Sequence, residues 1–203
     1  MKKKIILAST SPRRCGLAQQ MGLEFEIIPS SYEEDMTMDL GPDDLAMTLA
    51  YGKAQDVALK QSEGIVLGID TFISFNGKKL GKPKTEEKAR ELLKSFSGKE
   101  LQVYSGVALI NCETKEEIRD CEISEVKFRE LSDEEIEKYI KTGEPLDKAG
   151  AFAIQGLGSI FIEKINGCYT NIVGFPISNI YKNLNKMGVN VFEYDNWKEK
   201  KIC

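Results

Sequence analysis

The sequence has 203 residues, 41% hydrophobic and 30% charged, which is enough to bury a core and too apolar for a disordered chain. Its 28 basic and 32 acidic side chains leave a net charge of −4, without the basic excess of a duplex nucleic-acid binder, so any anion site has to be local. There is no histidine, which excludes Ser-His-Asp and Cys-His triads, His-ligated zinc and a histidine general base.

In chain order, residues 4–8 read as a buried strand. Met1-Lys2-Lys3-Lys4 before Ile5-Ile6-Leu7-Ala8 superficially suggests a signal peptide, but the apolar part is too short for one. A polar turn at 9–12 leads into an amphipathic helix over about 13–21 that stops at Gly22. Residues 25–28 form a second strand and 30–41 a polar, acidic loop. Pro42 opens a long helix to about Gln61. Ile65 to Phe75 is a strongly apolar strand, followed by the hairpin dipeptide Asn76-Gly77. Thr85 caps a helix over about 86–96, ended by Ser97-Gly98.

Strands follow at about 102–111 and 118–129, the second with the imperfect alternation that suits a bulge. Ser132-Asp133-Glu134-Glu135 is a capping box for a helix closed by Gly143. Residues 145–159 are irregular, Ile160 to Ile165 is a strand, and Pro176 to Lys186 is the last helix. Val189 to Phe192 reads as a final short strand, and the charged tail, 194–203, as frayed. Strands and helices alternate with hairpins among them, which predicts an α/β fold with a mixed twisted sheet flanked by helices, in a single domain, 1–203. No apolar run approaches the ~20 residues of a membrane span. The five cysteines are odd in number and form no CxxC pair, against a disulfide framework or a zinc ribbon. A cytoplasmic protein is expected.

Several segments carry candidate chemistry. Ser9, Thr10 and Ser11 lie at a strand's C-terminal end and a helix N-terminus, where free N–H groups suit phosphate, and Arg13 and Arg14 add forked donors. The plain alternative is a capped helix with two surface arginines. Asp70 interrupts an apolar strand. It either sits at a strand end facing a cleft, is neutralised by a metal or a base, or faces solvent at a bulge. Thr71 offers a hydroxyl beside it. Lys53 falls in the apolar stripe of its helix, four residues from Leu49 and Val57. It either snorkels to water or meets an anion.

Gly77 to Pro83 resembles a Walker loop only superficially, being one residue short with Pro83 in place of the Ser or Thr that touches magnesium. Lys82 remains as a lysine fixed by a rigid turn. Glu33-Glu34-Asp35 is either a solvated run or a source of an oxygen ligand for Mg²⁺. Asp147 to Gly156, with Gln155 near its end, is rich in small residues that either let backbone approach a ligand or turn a tight corner.

Together these segments resemble the Maf family of nucleotide pyrophosphatases. The resemblance runs through Leu7 to Arg14, Glu34, Lys53-Ala54, Gly68-Ile69-Asp70-Thr71, Leu80-Gly81-Lys82-Pro83 and Phe96-Ser97-Gly98. It continues through Ser105 to Leu109, Asp147 to Ala151, Ile154-Gln155-Gly156 and Val173-Gly174-Phe175-Pro176, in collinear order. No single block is specific, but the ordered set is. It implies two lobes around a central cleft, a fold related to inosine triphosphate pyrophosphatase, and hydrolysis of a nucleoside triphosphate to monophosphate and pyrophosphate. It implies Asp70 as proton acceptor and Ser9, Arg14, Glu34, Lys53 and Lys82 as its polar pocket. The mechanism expected from these residues has Mg²⁺ or Mn²⁺ held by Glu34 and Asp70, with Ser9, Arg14, Lys53 and Lys82 binding the phosphates. Arg13, Thr71 and Gln155 match positions linked to base selection, in the pattern of the dTTP/UTP subgroup.

The partner so implied is the nucleotide, with no nucleic acid or membrane, and a homodimer is expected by resemblance alone. Two departures stand out: Leu101 where the family often carries a histidine, and Tyr51-Gly52 before Lys53, where a mid-helix glycine weakens the helix. Two other readings stay open. One is a nucleotide-binding regulator, in line with the family's link to septum formation, and the other is the related subgroup acting on 7-methyl-GTP.

Overall fold

A computed structural model describes residues 2–194. The predicted charged tail falls almost wholly outside these residues. Seven strands form one mixed sheet: β1 (Ile5–Leu7), β2 (Phe25–Ile27), β3 (Ile65–Phe75), β4 (Lys78–Leu80), β5 (Glu100–Asn111), β6 (Glu117–Phe128) and β7 (Ile162–Asn166). The order is β2-β1-β3-β5-β6-β7, with β4 also paired to β3. β1 pairs in parallel with β2 and with β3, whereas β3–β4 and β6–β7 are antiparallel. The helices are α1 (Pro12–Gln20), α2 (Pro42–Ala58), α3 (Glu86–Phe96), α4 (Asp133–Ile140), α5 (Tyr169–Val173) and α6 (Ile177–Lys186). The expected mixed α/β sheet is present. Among the described residues no helix is long and apolar enough to cross a membrane.

The described residues divide into two compact units: 2–71, 105–122 and 174–194 in the first, and 72–104 with 123–173 in the second. In the first, α2 lies on one face of the sheet. Ala50, Ala54 and Val57 pack there against Ile6, Ala8, Val66 and Ala108. Two glycines set the distance. A Cβ on Gly68 would fall 2.3 Å from the Ala50 carbonyl oxygen, and one on Gly106 would fall 1.9 Å from that of Ala46. Both neighbours are backbone, so no rotamer change would make room.

The second unit is built round aromatic rings. Phe75, Phe96, Phe128 and Phe152 contact one another in sequence at centroid separations of 5.1, 5.4 and 5.1 Å. Leu93 of α3 and Ile136 and Tyr139 of α4 join the same core. The predicted cap and turn chemistry is in place. Thr85 accepts from Lys88 N–H, and Ser132 with Glu135 forms the capping box. Asn76 and Gly77 both have positive φ, as a two-residue hairpin turn requires. The irregularity expected in β6 is a register shift at Lys127/Phe128 opposite β7.

Two predicted strands need correction. The segment expected as a strand over 189–192 is a 3₁₀ turn, Val191–Glu193. The Asn190 side chain accepts from Phe192 N–H at 3.1 Å and tightens the chain before it can extend. The strand expected from Ile160 starts at Ile162, because Leu157–Phe161 is also 3₁₀. The Glu144 carboxylate gathers the amides of Leu157 and Gly158 at 3.0 and 2.9 Å and curls that segment. The short helix α5 was absent from the expected elements.

Candidate active site

β1 ends at Leu7, where it pairs with Leu67, and the last bond between the two runs from Ala8 N–H to the Leu67 carbonyl. β3 continues to Phe75. Beyond Ala8 the flank of β3 is therefore no longer covered by β1, and the residues there are Asp70 and Thr71. Consecutive strand residues face opposite sides of a sheet. Asp70 shares its face with Gly68 and so looks towards α2, and Thr71 looks the other way.

On the α2 side stands a group of three charges. Asp70 is buried at 4% exposure in mid-strand, and Lys53 Nζ donates to its Oδ1 at 2.6 Å. The same ammonium pairs with Glu34 Oε1 at 2.5 Å. The lysine in the apolar stripe thus meets two anions, and of the readings of Asp70 the one realised here is neutralisation by a base. Glu34 is half-exposed. Its neighbour Asp35 is turned to a local task, accepting from the amide and hydroxyl of Thr37.

On the other face Arg14 is the hub. Its Nε donates to the Gly174 carbonyl at 3.0 Å, and its two terminal nitrogens reach Ser9 Oγ and Thr71 Oγ1, each at 3.4 Å. Thr71 Oγ1 lies 2.7 Å from Ser105 Oγ. Ser9 Oγ also accepts from Ser11 N–H, while Ser11 makes no side-chain cap on α1. Burial pulls the Arg14 guanidinium below its ordinary value, and the carboxylates of Asp70 and Glu34 act in the opposite sense. It remains a cation at any physiological pH. Arg13 is exposed one position earlier.

The first unit therefore brings together Ser9, Arg14, Glu34, Lys53, Asp70 and Thr71. Lys82 and Gln155 belong to the second unit, and both are exposed. Lys82 follows Gly81, whose carbonyl accepts from Gly150 N–H at 3.1 Å. Gln155 precedes the turn gathered by Glu144, which also accepts from the Tyr139 hydroxyl at 2.8 Å. Ser105 and the Gly174 carbonyl were not singled out as site groups by sequence reasoning. They carried a signal only as members of the resemblance blocks.

The charges of Arg14, Lys53, Glu34 and Asp70 cancel. A polyphosphate entering such a site adds several negative charges and calls for further cations. Mg²⁺ ordinarily takes one or two carboxylates and completes its shell with phosphate and water oxygens. Glu34 and Asp70, already converging on one cation, fit that donor set. Among the described residues no group of three or more His, Cys, Asp or Glu side chains could hold a metal unaided.

A strand-edge carboxylate paired with a lysine, beside a hydroxyl-and-arginine cradle on a mixed α/β sheet, has the charge and donor chemistry that suits a phosphorylated ligand. The family model for Maf-like protein matches residues 4–187, and the chain belongs to that family. A dTTP/UTP pyrophosphatase of Methanosarcina mazei is 46% identical over 192 residues, covering 94% of this chain and 98% of the relative. One of Clostridium tetani is 48% identical over 189 residues, covering 92% and 98%. The Ham1 protein of Staphylococcus aureus is a distant structural neighbour, with 14% identity and a TM-score of 0.44 over 62% of this chain and 72% of that one.

Proposed function

We propose that this chain is a nucleoside triphosphate pyrophosphatase that hydrolyses dTTP and UTP to the monophosphate and pyrophosphate. The observation that carries the reading is the buried Asp70 carboxylate, held by Lys53 beside Glu34 where β3 outruns β1. The names of its relatives point to the same substrates.

In this reading water attacks the α-phosphorus, the bond to the bridging oxygen between α and β phosphates breaks, and pyrophosphate leaves. Asp70 accepts the proton of the attacking water. Arg14 binds phosphate oxygens with its forked donors, and Ser9 and the backbone amides at the start of α1 add hydrogen bonds. Lys53 turns part of its charge from the carboxylates to the phosphates. A divalent cation, Mg²⁺ or Mn²⁺, held by Glu34 and Asp70, supplies Lewis-acid stabilisation of the phosphate oxygens when bound.

Phosphoryl chemistry needs mainly this positioning and charge stabilisation. The resemblance adds Lys82 to phosphate binding and Arg13, Thr71 and Gln155 to base selection. A base that leaves such polar groups unpaired is rejected strongly. The reading also includes a cytoplasmic location and a homodimer.

The test is release of pyrophosphate from a panel of dTTP, UTP, CTP and 7-methyl-GTP with Mg²⁺. Release from dTTP and UTP is expected. A preference for 7-methyl-GTP would move the chain to the related subgroup, and no release from any nucleotide would overturn the enzymatic reading.

A further inference from the structure

Gly52 breaks the helical preference of α2 in mid-helix, and the structure explains why it is there. The Tyr32 ring lies against its Cα, so that a Cβ at position 52 would fall 2.4 Å from Cζ of Tyr32. One turn further along α2, Asp56 collects the same segment. It accepts from Ser30 Oγ at 3.0 Å, from Ser31 N–H at 2.7 Å and from Ser31 Oγ at 3.0 Å. Ser30 Oγ in turn accepts from Tyr32 N–H at 3.0 Å. Lys60, a further turn on, holds Asp56 from behind at 2.8 Å. Residues 52, 56 and 60 are spaced to share one side of the helix. Two residues past Tyr32 comes Glu34, whose carboxylate meets Lys53.

We propose that Asp56 is a positioning residue, which together with Tyr32 seated on Gly52 fastens segment 30–34 along α2 and so delivers Glu34 to Lys53 and Asp70. Without these anchors Glu34 sits on a polar loop that begins at residue 30 and ends at α2. A half-exposed glutamate on such a loop has many alternatives to one ion pair. The cluster of serines gives the loop a donor-rich start, and a carboxylate is the acceptor-only partner that can take all of them. The ring on the glycine then sets the register, since a side chain at 52 would lift Tyr32 off the helix. Both anchor points and Lys53 sit on α2, so the distance from anchor to Lys53 is fixed by one rigid element.

The proposal rests on the pyrophosphatase reading for its kinetic consequence, but its structural half can be measured without activity. Hydrogen–deuterium exchange is compared for the full-length chain and for Asp56→Asn and Asp56→Ala, on peptides spanning residues 29–36. The amides of Ser31 and Tyr32 are expected to exchange at least about tenfold faster in Asp56→Ala, and less so in Asp56→Asn, which keeps one acceptor oxygen. Peptides from α3 and β5 should not change.

In parallel, dTTP hydrolysis by Asp56→Ala is expected to need more Mg²⁺ for half-maximal rate, with kcat/KM at limiting metal lower by roughly 10- to 100-fold. Gly52→Ala, which pushes the Tyr32 ring off the helix, and Tyr32→Ala, which removes it, should each give a loss of the same kind. Unchanged exchange at 29–36 in Asp56→Ala overturns the proposal. So does faster exchange with unchanged kinetics, or wild-type kinetics in Gly52→Ala. If the wild-type chain releases no pyrophosphate from any nucleotide, the functional reading falls, and exchange alone decides whether Asp56 fastens the segment.

Discussion

Lys53 on α2 reaches Asp70 on β3 across 2.6 Å, and the two side chains are 12% and 6% exposed. Removing the lysine is the costly side to break, because the Asp70 carboxylate then loses its ammonium partner where water scarcely reaches. Lys53→Met is expected to destabilise the chain by about 3 kcal/mol, read from urea denaturation. Hydrolysis should fall as well, since the phosphates lose a cation.

Asp70→Asn is the complementary experiment. Asparagine matches the carboxylate in size and can still accept from Lys53, so the chain should fold. Turnover of dTTP should drop by at least about 10²-fold, the scale of a general base. Nucleotide binding, measured by calorimetry, should stay within a few-fold of wild type. Near-normal turnover would remove Asp70 from the chemistry.

Arg14→Lys keeps the charge and discards the fork. Lysine cannot hold the Gly174 carbonyl, Ser9 and Thr71 together while meeting phosphate. The expected outcome is a rise of about tenfold in KM for dTTP, with a smaller loss in kcat. A change confined to kcat would place Arg14 at the reacting bond instead.

Gly106→Ala tests how close α2 lies to the sheet. The new methyl would meet the Ala46 carbonyl at 1.9 Å, and only movement of the helix can relieve it. Destabilisation of about 3 kcal/mol is expected, with hydrolysis lost in step because Lys53 moves with the helix. The chemical denaturation midpoint and the activity should fall together.

Acid stability has a local contributor in the second unit. Hydrogen bonds from Arg129 first, and from Ser132 next, lower the Glu135 carboxyl from 4.5 to about 2. A depressed acid stabilises the folded state above its unfolded pKa, and that stability is lost as the pH falls through the folded value. The melting temperature of the wild type should therefore decline between about pH 4.5 and pH 2 partly through this group. Glu135→Gln should begin lower at pH 7 and decline less steeply over that window. An identical slope in the variant would remove Glu135 from the acid response.

Local signals in the sequence located most elements because each is self-contained. The apolar run of β3, the Thr85 and Ser132 caps and the Asn76-Gly77 turn depend on residues within a few positions. The same is true of the turn from Ser9 to Arg14. Partners distant in the chain were not legible. Helical spacing placed Lys53 in the apolar stripe but could not say that Asp70 and Glu34 stood opposite. Gly52 read as a weakness until Tyr32 was found against it. The apolar Ile160-Phe161-Ile162 looked like strand throughout, because nothing local reveals that Glu144, thirteen residues back from Leu157, bends what precedes Ile162. Thr71, expected at the base, already holds Arg14 and Ser105, a task that no pattern on its own strand announces.

The lysine between Glu34 and Asp70 has a further consequence for how this protein is built. It is a counter-ion tethered to the backbone, present at the carboxylates in the first moment they come together. Folding need not wait for anything from solution, and a chelator should leave the melting temperature of the resting chain unchanged. A divalent cation held by Glu34 and Asp70, as proposed above, would have to take the place this ammonium fills. Its binding would be an exchange, in which the Lys53 ammonium would leave the two carboxylates and be free to meet a phosphate.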